Sequence, residues 1–183
     1  QRQMCIRDSR YTGESLAVKL SDFADVSERI QYLVTEVEEI TKIDNFGAYL
    51  TAMLEIDAFF MNEDRHTNNI AVIYNEKTQK YELSPFFDQG LCMFADINQD
   101  YPIDQSLEYC LEKIEAKPFS SDFDIQLDAA EELYGIQIGF QFTFKDIQIY
   151  LQKNSENYPR EVIRRVEQLL RRQMRKYGYL MKK

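Results

Sequence analysis

IDAFFMNEDRHTNNIAVIYNEKTQKYELSPFFDQG, running from Ile56 to Gly90, changes character repeatedly over a short length. Apolar residues up to Phe60 give way to the polar loop EDRHTNN, Glu63 to Asn69. The apolar run IAVIY, Ile70 to Tyr74, and the short YEL, Tyr81 to Leu83, then flank NEKTQK, which predicts a β-hairpin. In SPFFDQGLCMF, Pro85 and Gly90 bracket an aromatic pair and an acid, as at a strand end that turns into a loop.

Helical patterns extend outward on both sides. The stretch FGAYLTAMLEIDAFFMN, Phe46 to Asn62, is apolar nearly all round and predicts a buried helix. Asp57 is the acid in its apolar half, and a buried carboxylate needs a partner. Before it, Asp22 to Ile43 places Val26, Ile30, Leu33, Val34, Val37 and Ile40 at helical steps with charges between them. Downstream, Gln105 to Ile114, Phe123 to Tyr134, Phe144 to Lys153 and Pro159 to Tyr177 read as helices, with a short extended piece near Ile136 to Phe142. The expected class is therefore mainly α with a small β-hairpin, an α+β arrangement in one domain. Nothing repeats and nothing is of low complexity.

Composition narrows the chemistry. The single histidine, His66, rules out sites that need two or more, including H-E-x-x-H proteases and the commonest zinc hydrolases, so any metal should be held by oxygen. Cys5, Cys92 and Cys110 are odd in number and lack C-x-x-C spacing, which predicts free thiols. A formal net charge of -9 argues against nucleic acid as a general partner, although Lys and Arg gather at the C-terminus. No apolar run approaches the ~20 residues of a membrane span, and QRQMCIRDS has no signal-peptide core, so the expected compartment is the cytoplasm. That opening resembles translated sequencing adapter; residues 1–9 are read as non-native and left out of the fold, and 10–183 as a fragment of a longer protein.

The polar loop holds the chemistry. Asp64-Arg65-His66-Thr67-Asn68-Asn69 sets an acid and an amide five positions apart, and Asp88-Gln89-Gly90 follows the hairpin. Phosphoryl transfer from ATP uses a carboxylate to take the acceptor proton and hard oxygen ligands for Mg²⁺, and kinases place them as D-x-x-x-x-N followed by D-x-G. His66 is a second candidate base, against a role in organising the loop by hydrogen bonds. Asn68 is the alternative amide. The bland reading is a helix-to-strand turn capped by Asp and Asn.

The segment from Ile56 to Gly90 resembles the catalytic segment of HipA-like kinases, with D-x-H-x-x-N, a hairpin, then P-x-x-D. Ala116 to Asp124, AKPFSSDFD, and Leu133 to Gly135, LYG, resemble features of small bacterial members. The resemblance implies a protein-kinase-like C-lobe with Asp64 as catalytic base, Asn69 and Asp88 as Mg²⁺ ligands, and serine/threonine protein kinase activity with ATP as co-substrate. A toxin role beside an antitoxin partner is implied by the family alone. Phosphoinositide kinases share D-R-H-x-x-N and a later D-x-G, so a lipid or small-molecule kinase is one alternative, and an inactive binding or regulatory module is another. The six glycines form no G-x-G-x-x-G or Walker A motif, so the ATP-cradling N-lobe is expected to be absent, leaving the fragment inactive by itself. Lys19, in LAVKL, resembles a strand lysine that pairs with phosphates but precedes the loop too closely.

Around this set, Asp57 and Asn62 are candidates for tying the loop to the buried helix, against an acid exposed at a helix edge. Arg65 is read either as steering phosphate or neutralising the acidic site, or as a surface ion pair. Phe86, Phe87 and Phe94 are read as core around Asp88. The C-terminal helix carries Val162, Val166, Leu169, Leu170 and Met174 as an apolar stripe with cations opposite, which suits docking on an acidic lobe better than nucleic acid.

Overall fold

Asp25 begins the first helix, α1 (Val26–Thr41), because its carboxylate accepts hydrogen bonds from the otherwise unpaired N–H groups of Ser27 and Glu28. The computed structural model describes the backbone of residues 2–5 and all of residues 19–182. The sequence pattern ran on from Asp22, but the cap separates α1 from a helical turn at 19–21. Lys19 stands in that turn and not in a strand, with its Nζ 6.0 Å from the centre of the Tyr32 ring. Ile30, Leu33, Val34 and Val37 form the buried side of α1.

The second helix, α2 (Phe46–Phe60), is the axis of the molecule and is buried on nearly every side, as its lack of a polar face predicts. Its N-terminal half packs with α1, the β-hairpin and Phe119 in one apolar cluster. Its last turn, at Ala58 and Phe59, enters a second cluster built from the helices downstream. A Cβ at Gly47 would collide with the Tyr134 ring, so this glycine lets two helices approach closely.

Three strands, β1 (Arg2–Cys5), β2 (Ala71–Asn75) and β3 (Lys80–Leu83), form an antiparallel sheet in that order. Val72 faces Leu83 across the expected hairpin. The third strand comes from the segment that the sequence reading left out of the fold: Cys5 pairs with Ala71 and Arg2 with Tyr74. Pairing satisfies the N–H and C=O groups that the hairpin leaves open along the other edge of β2.

Four further helices follow: α3 (Leu107–Lys113), α4 (Phe123–Tyr134), α5 (Phe144–Lys153) and α6 (Arg160–Lys176). The expected extended piece is reduced to a bridge in which Phe140 pairs with Met181. Leu169 and Leu170 turn the apolar stripe of α6 inward, as expected for docking. Arg165 departs from that expectation: it is buried, donating to the Tyr101 carbonyl at 3.0 Å. Gln173 is buried too and donates to the Ala58 carbonyl at 2.9 Å, fastening α6 to α2. Among the described residues no helix is long and apolar enough to cross a membrane.

Asp57 is not the only acid buried on α2. Glu55 is fully buried as well, and its carboxylate accepts the backbone N–H groups of Gln137 at 2.8 Å and Ile138 at 2.6 Å. It thereby holds the segment after α4, whose N–H groups have no ladder partner. Burial pushes its carboxyl up from 4.5 to about 6, against the two hydrogen bonds. A raised acid favours the folded state while it is protonated, so this contribution is full below pH 4.5 and is lost as pH rises through about 6. Thermal melts of the wild type and Glu55→Gln between those pH values should show the wild type losing stability relative to the variant; parallel profiles would contradict the assignment.

Candidate active site

The loop after α2 is organised around a buried ion pair. Arg65 and Asp57 are both fully buried, with Arg65 Nε donating to Asp57 Oδ2 at 2.6 Å and Nη2 donating to Oδ1 at 3.0 Å. Asn62 Nδ2 adds a third donor to Oδ1 at 2.8 Å, and Asn62 Oδ1 accepts the Asp64 N–H at 3.3 Å. Burial raises the Asp57 carboxyl above its usual range, and the Arg65 and Asn62 hydrogen bonds oppose the rise. Arg65 is therefore neither a phosphate-steering residue nor a surface ion pair, because its whole side chain is enclosed.

The remaining Arg65 nitrogen joins distant parts of the loop. Nη1 donates to the Asn69 carbonyl at 2.8 Å and to the Phe87 carbonyl at 3.1 Å. One atom thus holds side by side the segments that carry Asn69 and Asp88. On the other flank of Asp88, the Met93 N–H donates to the Phe60 carbonyl at 2.9 Å, tying that loop to the end of α2. Asp88 itself is exposed and left-handed, with φ 59°, a conformation that Asp tolerates better than most residues. Phe94 is buried and Phe86 stacks against Tyr49, with ring centres 5.0 Å apart, so these aromatics are core.

Asn69 is oriented without ambiguity. Its side chain lies 2.9 Å from the Asp64 carbonyl, which can only accept, so the NH₂ group faces it and Oδ1 points away. The same bond closes the loop between Asp64 and Asn69. Asn68, the alternative amide, has a buried Oδ1 with no donor among the described residues.

His66 does not organise the loop as expected. Its Nδ1 has no hydrogen-bond partner among the described residues, and Nε2 lies 4.0 Å from Asp64 Oδ2, too far to bond. The loop is held instead through backbone bonds, His66 N–H to Asp64 O at 2.8 Å and Asn69 N–H to His66 O at 2.9 Å. Asp64 keeps 30% of its side chain exposed, and Lys117 Nζ stands 3.8 Å from its Oδ1. Sequence reading did not single out Lys117, because the connection to Asp64 is made by tertiary structure and leaves no local pattern.

Among the described residues no three His, Cys, Asp or Glu side chains come together as a metal site. A divalent cation would therefore depend on the Asn69 and Asp88 oxygens. That small set fits Mg²⁺, which keeps several waters and binds one or two protein ligands together with substrate phosphates. It does not suit Zn²⁺, which takes at least three protein ligands. Cys92 and Cys110 are buried free thiols, and burial pushes Cys92 up to about 12, so it is no nucleophile at neutral pH; the side chain of Cys5 lies outside the described residues.

No family model, curated protein or solved structure matches the chain.

Removing Asp57 leaves the Arg65 guanidinium buried and unpaired. Asp57→Ala should lower stability by about 3 to 5 kcal/mol. Urea denaturation followed by circular dichroism checks this. A loss below about 1 kcal/mol, the range of surface ion pairs, would show that the pair does not anchor the loop.

Proposed function

We propose that this chain is the metal- and acceptor-binding lobe of an ATP- and Mg²⁺-dependent phosphotransferase of the HipA-like kind, acting on a Ser or Thr hydroxyl of a protein. The observation that carries the reading is the shared Arg65 Nη1. It binds the backbone at Asn69 and at Phe87, next to Asp88, so the two expected metal ligands sit on segments tied to one buried atom. A plain helix-to-strand turn has no need to tie the hairpin's exit back to its entrance.

On this reading each group has a distinct task. Asp64, partly exposed at the loop's edge, is the group that accepts the hydroxyl proton. Its backbone carbonyl holds the Asn69 amide, which leaves Asn69 Oδ1 to join Asp88 as a cation ligand. Bound Mg²⁺-ATP supplies the phosphoryl group and neutralises its developing charge. Lys117, near Asp64 but half exposed, supplies positive charge at the acceptor's edge of the site. The phosphate-cradling glycine motif that such enzymes use has no counterpart among the six glycines, so catalysis on this reading needs a second lobe.

The test is transfer of labelled phosphate from ATP to protein acceptors by the complete gene product. Asp64→Asn should lower transfer by about a thousandfold, within the usual range for a lost general base. Asp88→Asn should abolish Mg²⁺-dependent ATP binding as well, with the fold kept. Normal phosphorylation by Asp88→Asn would overturn the proposal, and Mg²⁺-ATP binding without any transfer would select the inactive regulatory module.

A further inference from the structure

Beside Asp64 lies a cleft of about 310 Å³ whose lining, among the described residues, holds no acidic side chain. Arg29 comes from α1, His66 and Thr67 from the catalytic loop, and Lys117 with Pro118 from the segment before α4. A chain with a formal net charge of -9 has to assemble such a cationic spot against its overall composition. Arg29 is the clearest sign of its purpose. Among the described residues it bonds only to carbonyl oxygens, Phe23 O at 2.9 Å and Phe119 O at 2.8 Å, so its charge has no carboxylate partner. His66 contributes the edge of its ring to the lining, with Nδ1 itself buried. Lys117 reaches from the cleft to within 3.8 Å of Asp64.

The position of the cleft says which ligand it meets. Its described lining includes His66 and Thr67, which follow Asp64 and Arg65 in the loop, and Lys117, whose Nζ stands 3.8 Å from Asp64 Oδ1. The cleft therefore adjoins the proposed base through Lys117, and an acceptor whose hydroxyl is held at Asp64 would lie beside it. We propose that it is an acceptor-recognition subsite for an anionic side chain, Glu, Asp or phosphoserine, close to the hydroxyl of a protein substrate; this rests on the phosphotransferase reading given above. A protein segment suits the site better than a membrane lipid, because an acidic chain is repelled from an anionic bilayer surface.

Two independent measurements test the subsite and the reading beneath it. Fluorescence anisotropy compares labelled serine peptides of equal length, flanked by Glu, phosphoserine, Gln or Lys. The acidic peptides should bind about tenfold more tightly than the Gln peptide, the scale of one charge-assisted hydrogen bond. Lys117 is half exposed, so Lys117→Gln should keep the fold while losing that advantage, and Lys117→Glu should turn the preference toward the Lys peptide. Equal affinity for all peptides overturns the subsite, as does displacement of the acidic peptide by Mg²⁺-ADP, which would assign the cleft to nucleotide phosphates. Tighter binding to phosphoinositide-containing vesicles than to any peptide overturns it in favour of a lipid. The second measurement is phosphate transfer to the same peptides by the complete gene product: an acidic preference in binding with no transfer to any acceptor removes the kinase reading, whereas transfer without acidic preference removes the subsite alone.

Discussion

The ion pair between Asp57 and Arg65 is the constraint on which the rest of the loop depends. Two charges in a water-free position are stabilising only when their geometry is close and their other hydrogen-bonding positions are filled. Here Asp57 receives Arg65 through two nitrogens and Asn62 through a third, and the last Arg65 nitrogen takes two backbone carbonyls. A pair satisfied in this way has one arrangement. Because Asp57 is set on the most enclosed helix of the molecule, that arrangement is transmitted to the loop, to the start of the hairpin and to the segment entering Asp88.

Burial and exposure divide the polar residues of this region by role. Asp57, Asn62 and Arg65 are fully buried and serve to hold backbone, while Asp64, His66 and Asp88 keep access to solvent. Asn69 belongs to both groups, with one end of its amide fixed to Asp64 and the other free to act as an oxygen ligand. Side chains on a surface loop are placed more precisely when the residues behind them cannot move, and the buried network beneath this polar loop provides that support. The cleft lined by Arg29, His66 and Lys117 lies next to this loop, and Lys117 links it to Asp64.

Much of the fold was legible in periodicity. The all-round apolar character of Phe46 to Phe60 announced the central helix, and α4 and α5 begin and end where their patterns do. Other features were hidden for physical reasons. Glu55 and Arg165 are buried charged residues, and residue type alone places them on the surface; what buries them is a partner far along the chain, the Gln137 and Ile138 N–H groups for one and the Tyr101 carbonyl for the other. The strand Arg2–Cys5 was not anticipated, since residues 1–9 were left out of the fold; its pairing answers an open edge of β2, a demand that comes from the sheet.

The sequence by itself determined the order of helix, polar loop, hairpin and acid, and which residue types stand in the loop, because alternation and spacing are local properties. It also marked Asp57 as an acid in need of a partner. Tertiary structure decided that the partner is Arg65, that Arg65 is withdrawn from solvent, that Lys117 comes to the side of Asp64, and that Arg29 shares a cleft with Lys117. Those outcomes depend on which surfaces remain after the helices pack, and on satisfying each buried donor and acceptor within the space left. No local pattern carries that information, since the groups that meet are separated by whole elements of the chain.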